Sequence, residues 1–127
     1  MLYELSRSEL AAGQPKDALA HAKSALALQS TTGKEARGTM KARLLSVAGR
    51  STLAVASAAE ALPLLVESVA LFDKLPTYDP SERGTARLAL ADAQWKGGDP
   101  ESARKTALAA RDQLPKTADE WLTRHSP

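Results

Sequence analysis

The chain lacks cysteine, so none of its 127 residues can form a disulfide or a thiolate metal site. It also lacks a basic leader followed by an apolar run, and no stretch of about 18 apolar residues occurs. The net charge is also small, because 17 Lys and Arg against 15 Asp and Glu give +2. These absences leave the redox compartment open and make a cytoplasmic location the default. They give no support to a membrane or nucleic-acid partner.

Aromatic residues are also scarce, at 4% of the chain, whereas apolar residues make up 43% and alanine is the commonest type. Three alanines recur at nearly one spacing, since Ala61 follows Ala18 by 43 residues and Ala103 follows Ala61 by 42. Each begins a run of small or apolar residues at i, i+4 and i+7, which is one face of a helix. The runs are Ala18/Ala22/Ala25, Ala61/Leu65/Ser68 and Ala103/Ala107/Ala110. A period of this length predicts an α-solenoid built from helix-turn-helix hairpins.

Capping signals divide the chain into seven helices. Gly13-Gln14-Pro15 and Gly98-Asp99-Pro100 combine a turn glycine, an N-cap and a proline suited to the first helical position. Ser57, Asp79 and Thr117 each stand three residues before a glutamate, which is the spacing of a capping box. The prediction is an all-α chain with helices over residues 2–12, 15–29, 34–54, 58–74, 80–96, 100–113 and 118–125.

The middle hairpin departs from the repeat in two ways. Ala56 occupies the place where Gly13 and Gly98 supply a turn, and an alanine at positive φ costs about 1–2 kcal/mol. We therefore expect a different turn there. The triplet Arg37-Gly38-Thr39 recurs as Arg83-Gly84-Thr85 after 46 residues rather than 42. The additional residues predict that the first helix of the middle hairpin is about one turn longer than its counterpart.

These features resemble the tetratricopeptide repeat (TPR) family over residues 2–115, in its longer, kinesin-light-chain-like variety. The third unit matches best, and its residues on the family's helix-packing positions are Leu90, Ala91, Gly98, Ala103, Ala107, Ala110 and Pro115. The resemblance implies one domain of three hairpins, over about residues 1–32, 33–76 and 79–115, followed by a capping helix over 118–125. The chain also resembles C-terminal repeat regions of large bacterial signalling proteins such as serine/threonine kinases. That likeness implies that it is part of a larger protein.

In this family the first helix of each hairpin lines a concave groove, and the resemblance places particular side chains there. The charged residues among them are the bases Arg7, Arg43, Arg50 and Lys96 and the acid Asp92. Leu53 and Trp95 would be apolar anchors, and the remaining residues are Tyr3, Leu10, Ser46 and Leu88. Guanidinium groups suit carboxylate or phosphate, so the resemblance implies a groove for an acidic and apolar peptide. Two alternatives stay open. The bases can form a plain solvated face, and Trp95 can lie between hairpins.

Other classes of site lack the residues that they need. The chaperone-binding version of the family uses a lysine and asparagine clamp, and this chain contains no asparagine. His21 and His125 are its only histidines, and neither has a metal-ligand partner at helical spacing. Gly97-Gly98 precedes a helix without the Lys-Ser/Thr of a phosphate loop, and no regular polar code of a helical-repeat RNA reader appears. We therefore expect no catalytic residue, cofactor or metal, and no nucleic-acid or membrane partner.

The sequence thus favours a non-catalytic scaffold or signalling module that binds a protein or peptide segment in its groove. A structural or self-association role is an alternative, because the first helix, over residues 2–12, leaves an open face. Cis-regulation of an attached bacterial kinase or another signalling enzyme is a further one. Trp121 is expected in the core, because the terminal amphipathic helix that bears it must dock on the last hairpin.

Overall fold

The computed structural model describes residues 2–28, 34–74 and 80–125. These residues form seven α-helices and no strand, so the all-α prediction is confirmed. The helices are α1 (Leu2–Ala11), α2 (Pro15–Leu28), α3 (Lys34–Val55), α4 (Ala58–Asp73), α5 (Pro80–Lys96), α6 (Pro100–Ala110) and α7 (Pro115–Arg124). The 22-residue α3 is more than one turn longer than the 17-residue α5, as the wider spacing of the middle hairpin predicts.

Glycine makes two of the turns between helices. Gly13 and Gly98 have φ of 79° and 90°, in the left-handed region that other residues adopt only at a cost. After Gly98, the Asp99 side chain caps α6 by accepting a 3.2 Å hydrogen bond from a backbone N–H three residues on. The turn before α4 differs, as predicted. There Ser57 accepts a 3.2 Å bond from the Glu60 N–H, and no described non-glycine residue has positive φ.

The predicted boundary between α6 and α7 is wrong. α6 ends at Ala110 rather than at residue 113, and α7 begins at Pro115 rather than at residue 118. Leu114 is the N-cap residue of α7 and makes no side-chain capping bond. Proline is well suited to a first helical position and biases the preceding residue away from helix. Thr117, which the capping-box spacing predicts as an N-cap, therefore lies inside α7.

The repeated face found in the sequence forms the contact between helices. All nine of its residues are buried, with at most 8% of the surface exposed at any of them. Gly49 lets α3 and α4 approach closely, since a Cβ at this position would lie 2.5 Å from the Leu65 side chain. Trp121 is 3% exposed and packs with Leu88 and Ala107, so its predicted place in the core is confirmed.

The helices pack mainly on their neighbours in sequence, from α1 against α2 to α6 against α7. The α1–α2 pair is also joined by the Glu9 carboxylate, whose Oε1 lies 2.6 Å from His21 Nδ1. Other contacts skip one helix, and these include contacts of α1 with α3 and of α3 with α5. They bring α1, α3 and α5 together on one surface, which we call the α1–α3–α5 face.

Candidate functional site

Two cavities open on the α1–α3–α5 face. Cavity 1 has a volume of about 310 Å³ and is lined by α1, α3, Phe72 of α4 and the start of α5. Cavity 2 has a volume of about 440 Å³ and is lined by α3, α5, Leu10 and the junction before α7. Leu10, Arg50 and Thr85 line both of them. The cavities therefore adjoin, and Arg50 lies where they meet.

Glu82 connects three helices at cavity 1. Its Oε1 accepts a 2.9 Å hydrogen bond from the Tyr3 hydroxyl, and its Oε2 lies 3.1 Å from Arg43 Nε in an ion pair. The Arg43 guanidinium carbon also lies 5.3 Å from the centre of the Tyr3 ring, within the range of a cation–π contact. Burial raises the pKa of Tyr3, and the hydrogen bond to Glu82 acts in the same direction. The hydroxyl therefore remains a donor at neutral pH, and Glu82 offsets the charge of Arg43.

Arg50 is a partly buried cation at the junction of the two cavities. Its Nε donates only a long 3.4 Å bond to the Ser46 carbonyl of its own helix. Within the described ranges, neither Arg50 nor Arg7 has a carboxylate at ion-pair distance. Burial is the main cause that lowers the pKa of Arg50; the positive charge of Arg7 acts in the same direction, whereas Tyr3 and Glu82 act in the opposite one. A desolvated cation of this kind gains most from an anion supplied by another molecule.

Cavity 2 is more apolar than cavity 1. Its hydrocarbon lining consists of leucines and alanines from three helices and the α6–α7 turn: Leu10, Leu53, Ala54, Leu88, Ala89 and Leu114. Asp92 and Lys96 add one charge of each sign. The Asp92 carboxylate is already engaged, because its Oδ1 accepts a 2.7 Å hydrogen bond from Trp121 Nε1. This cavity suits an apolar side chain that lies next to an anion held at Arg50.

The structure brings together ten of the eleven residues that the sequence analysis places in the groove. These line cavity 1 or cavity 2: Tyr3, Arg7, Leu10, Arg43, Ser46, Arg50, Leu53, Leu88, Asp92 and Lys96. Trp95 lines neither cavity, although 38% of its surface is exposed. Its ring meets Trp121 edge-on, with 6.1 Å between the centroids, and lies 4.8 Å from the ring of His125. The tryptophan thus belongs to the α5–α7 contact.

Sequence reasoning missed Glu82, Thr85 and Leu114 as lining residues. The sequence predicts a capping box between Glu82 and Asp79, and this local role does not predict the contacts of Glu82 with α1 and α3. Asp79 itself lies outside the described residues. Thr85 lies one helical turn before Leu88, a residue assigned to the groove, so helical spacing could have identified it. Leu114 gave no such signal, since its place depends on where α7 begins.

The described part of the chain contains no group of three or more His, Cys, Asp or Glu side chains placed to hold a metal ion. None of the helices described above is both long enough and apolar enough to cross a membrane. No family model, no curated protein and no solved structure matches the chain.

Proposed function

We propose that this chain is a non-catalytic protein-interaction module, a solenoid of three TPR-like hairpins with α7 as its cap. Its α1–α3–α5 face binds a peptide segment of a partner protein. The segment has an acidic group that contacts Arg7 and Arg50 in cavity 1 and an apolar side chain that enters cavity 2. The observation that most supports this proposal is Arg50, a partly buried cation with no carboxylate at ion-pair distance among the described residues.

Two further observations support the same mode of binding. The nine residues of the face that repeats with a period of 42 to 43 are all buried, as stacked hairpins require. The face also combines an excess of positive charge in cavity 1 with an apolar lining in cavity 2, side by side. Extended or helical segments are recognised by such grooves through a few anchor side chains. The expected affinity is micromolar, or about −8 kcal/mol.

The test is selection of binding peptides from a random displayed library, followed by fluorescence anisotropy with the selected peptides. We expect enrichment of sequences that combine Asp or Glu with a large apolar residue. Binding should weaken as salt rises from about 50 mM to about 500 mM, because the ionic contact is screened. Light scattering over a concentration series checks the alternative of self-association, which the binding proposal does not need.

Matched variants identify the surface that binds. Arg7→Gln/Arg50→Gln removes two bases from cavity 1, whereas Arg104→Gln/Lys105→Gln removes two exposed bases from α6, which line neither cavity. Both variants lower the net charge by the same amount. The proposal requires that only the first variant loses the selected peptides while its circular dichroism stays that of the parent. Equal loss in both variants, or selected peptides without acidic residues, would contradict it.

A further inference from the structure

Cavity 1 contains more positive charge than one carboxylate can neutralise. Three guanidinium groups line it, from Arg7, Arg43 and Arg50, against the single carboxylate of Glu82. Glu82 is already shared between Arg43 and the Tyr3 hydroxyl. An anion entering the cavity therefore meets two positive charges that no carboxylate lining the cavity offsets.

We propose that the anionic group bound in cavity 1 is a phosphoryl group on a side chain of the partner. This inference rests on the proposed peptide-binding function and specifies its ligand. A phosphorylated serine or threonine carries about −1.5 to −2 charges near neutral pH and three strong acceptor oxygens. A glutamate side chain has one charge and two oxygens. The dianion matches the surplus of two charges, and the planar guanidinium fork suits its oxygens.

The remaining lining of cavity 1 agrees with this ligand. Ser46 lines the cavity and is only 4% exposed. Its hydroxyl can donate a hydrogen bond to a phosphoryl oxygen. The volume of about 310 Å³ is also adequate.

The experiment uses one peptide from the library selection, synthesised with phosphoserine, glutamate, serine or glutamine at its acidic position. Fluorescence anisotropy measures the dissociation constant of each peptide. We expect the phosphoserine peptide to bind at least about tenfold more tightly than the glutamate peptide, and the serine and glutamine peptides to bind most weakly. Arg50→Lys should lose most of the phosphoserine advantage, because it keeps the charge but lacks the fork. The Arg104→Gln/Lys105→Gln variant should keep it.

Inorganic phosphate is the second probe. Phosphate should displace the labelled glutamate peptide at a lower concentration than acetate does at equal ionic strength, which distinguishes recognition of the phosphoryl group from recognition of its flanking residues. If the phosphoserine peptide binds no better than the glutamate peptide, or if phosphate and acetate compete equally, this inference is wrong and the peptide-binding proposal stands. If the glutamate and phosphoserine peptides bind no better than the glutamine peptide, both proposals fail.

Discussion

Tyr3 and Glu82 lie 79 residues apart in the chain and are joined by a hydrogen bond of 2.9 Å, which links α1 directly to α5. The bond crosses cavity 1 beside Arg7 and Arg50. Glu82 therefore has two opposing effects. It stabilises the contact between the first and last of the three helices on this face, and its charge weakens the attraction of the cavity for an incoming anion.

Replacement of this carboxylate should separate the two effects. Glu82→Gln removes the one negative charge that lines cavity 1. We expect the affinity for an acidic peptide to rise several-fold and the free energy of unfolding to fall by about 1–2 kcal/mol, as the hydrogen bonds to a charged group weaken. Anisotropy and urea denaturation measure the two quantities. The control is Glu120→Gln on α7, an exposed residue that lines neither cavity; a similar gain in that variant would mean that net charge alone controls binding.

Arg50 should show a conflict between stability and binding. Arg50→Met keeps the aliphatic stem and removes a partly buried charge whose polar contact is a long bond to the Ser46 carbonyl. We expect the free energy of unfolding to stay constant or rise by up to about 1 kcal/mol. Binding of an acidic peptide should fall at least tenfold, which corresponds to about 1.4 kcal/mol. Loss of stability in Arg50→Met would show that the guanidinium has a structural role.

Gly49 should tolerate no larger side chain unless Leu65 is shortened. A Cβ at residue 49 would lie 2.5 Å from both Cγ and Cδ2 of Leu65, which is fully buried. We expect Gly49→Ala to lower the free energy of unfolding by about 1–3 kcal/mol through overpacking. In the double variant Gly49→Ala/Leu65→Ala, the loss should be smaller than the sum of the two single losses, because the colliding atoms are gone. Additive losses in urea denaturation would contradict this close approach.

Asp99 should make the stability of α6 depend on pH. Hydrogen bonds from Ser102 lower the pKa of the Asp99 carboxyl in the folded chain. Its stabilising contribution is therefore complete above the unfolded pKa of about 3.9 and is lost as the pH falls through the lower folded value. We expect Asp99→Asn, which can still cap the helix, to remove this part of the pH dependence. Thermal melts of parent and variant between about pH 2 and about pH 6 measure how the melting temperature depends on pH. The same pH dependence in both proteins would contradict this role of Asp99.

The sequence predicted most of the helices because local signals determine them. The caps at Ser57 and Asp99 lie where expected, and the face that repeats at Ala18, Ala61 and Ala103 is buried. The error at α7 arose where two local signals compete. Thr117 and Glu120 have the spacing of a capping box, but Pro115 begins the helix three residues earlier. The proline signal, which correctly gives the starts of α2 and α6, also determines this one.

The candidate site was only partly predictable. The resemblance to TPR proteins placed Arg7 and Arg50 in one groove, and both line cavity 1. It could not tell which bases have a carboxylate partner. Arg43 is paired with Glu82, 39 residues away, and this pairing depends on how α3 and α5 pack. The difference between a paired and an unpaired base is set by tertiary structure, and the proposed binding site depends on that difference.

Both tryptophans of the chain lie in the contact between α5 and α7, with Trp121 stacked on His125 at a centroid distance of 3.8 Å and edge-on to Trp95. Intrinsic tryptophan emission therefore reports on the C-terminal third of the molecule and gives no signal from α1 or α2. Because the helices pack mainly on their sequence neighbours, the two ends can open with different free energies. A melt followed by tryptophan emission observes this third alone, whereas a melt followed by far-ultraviolet circular dichroism averages over all the helices. A gap between their midpoints would show that the C-terminal third unfolds at a different temperature from the rest of the chain.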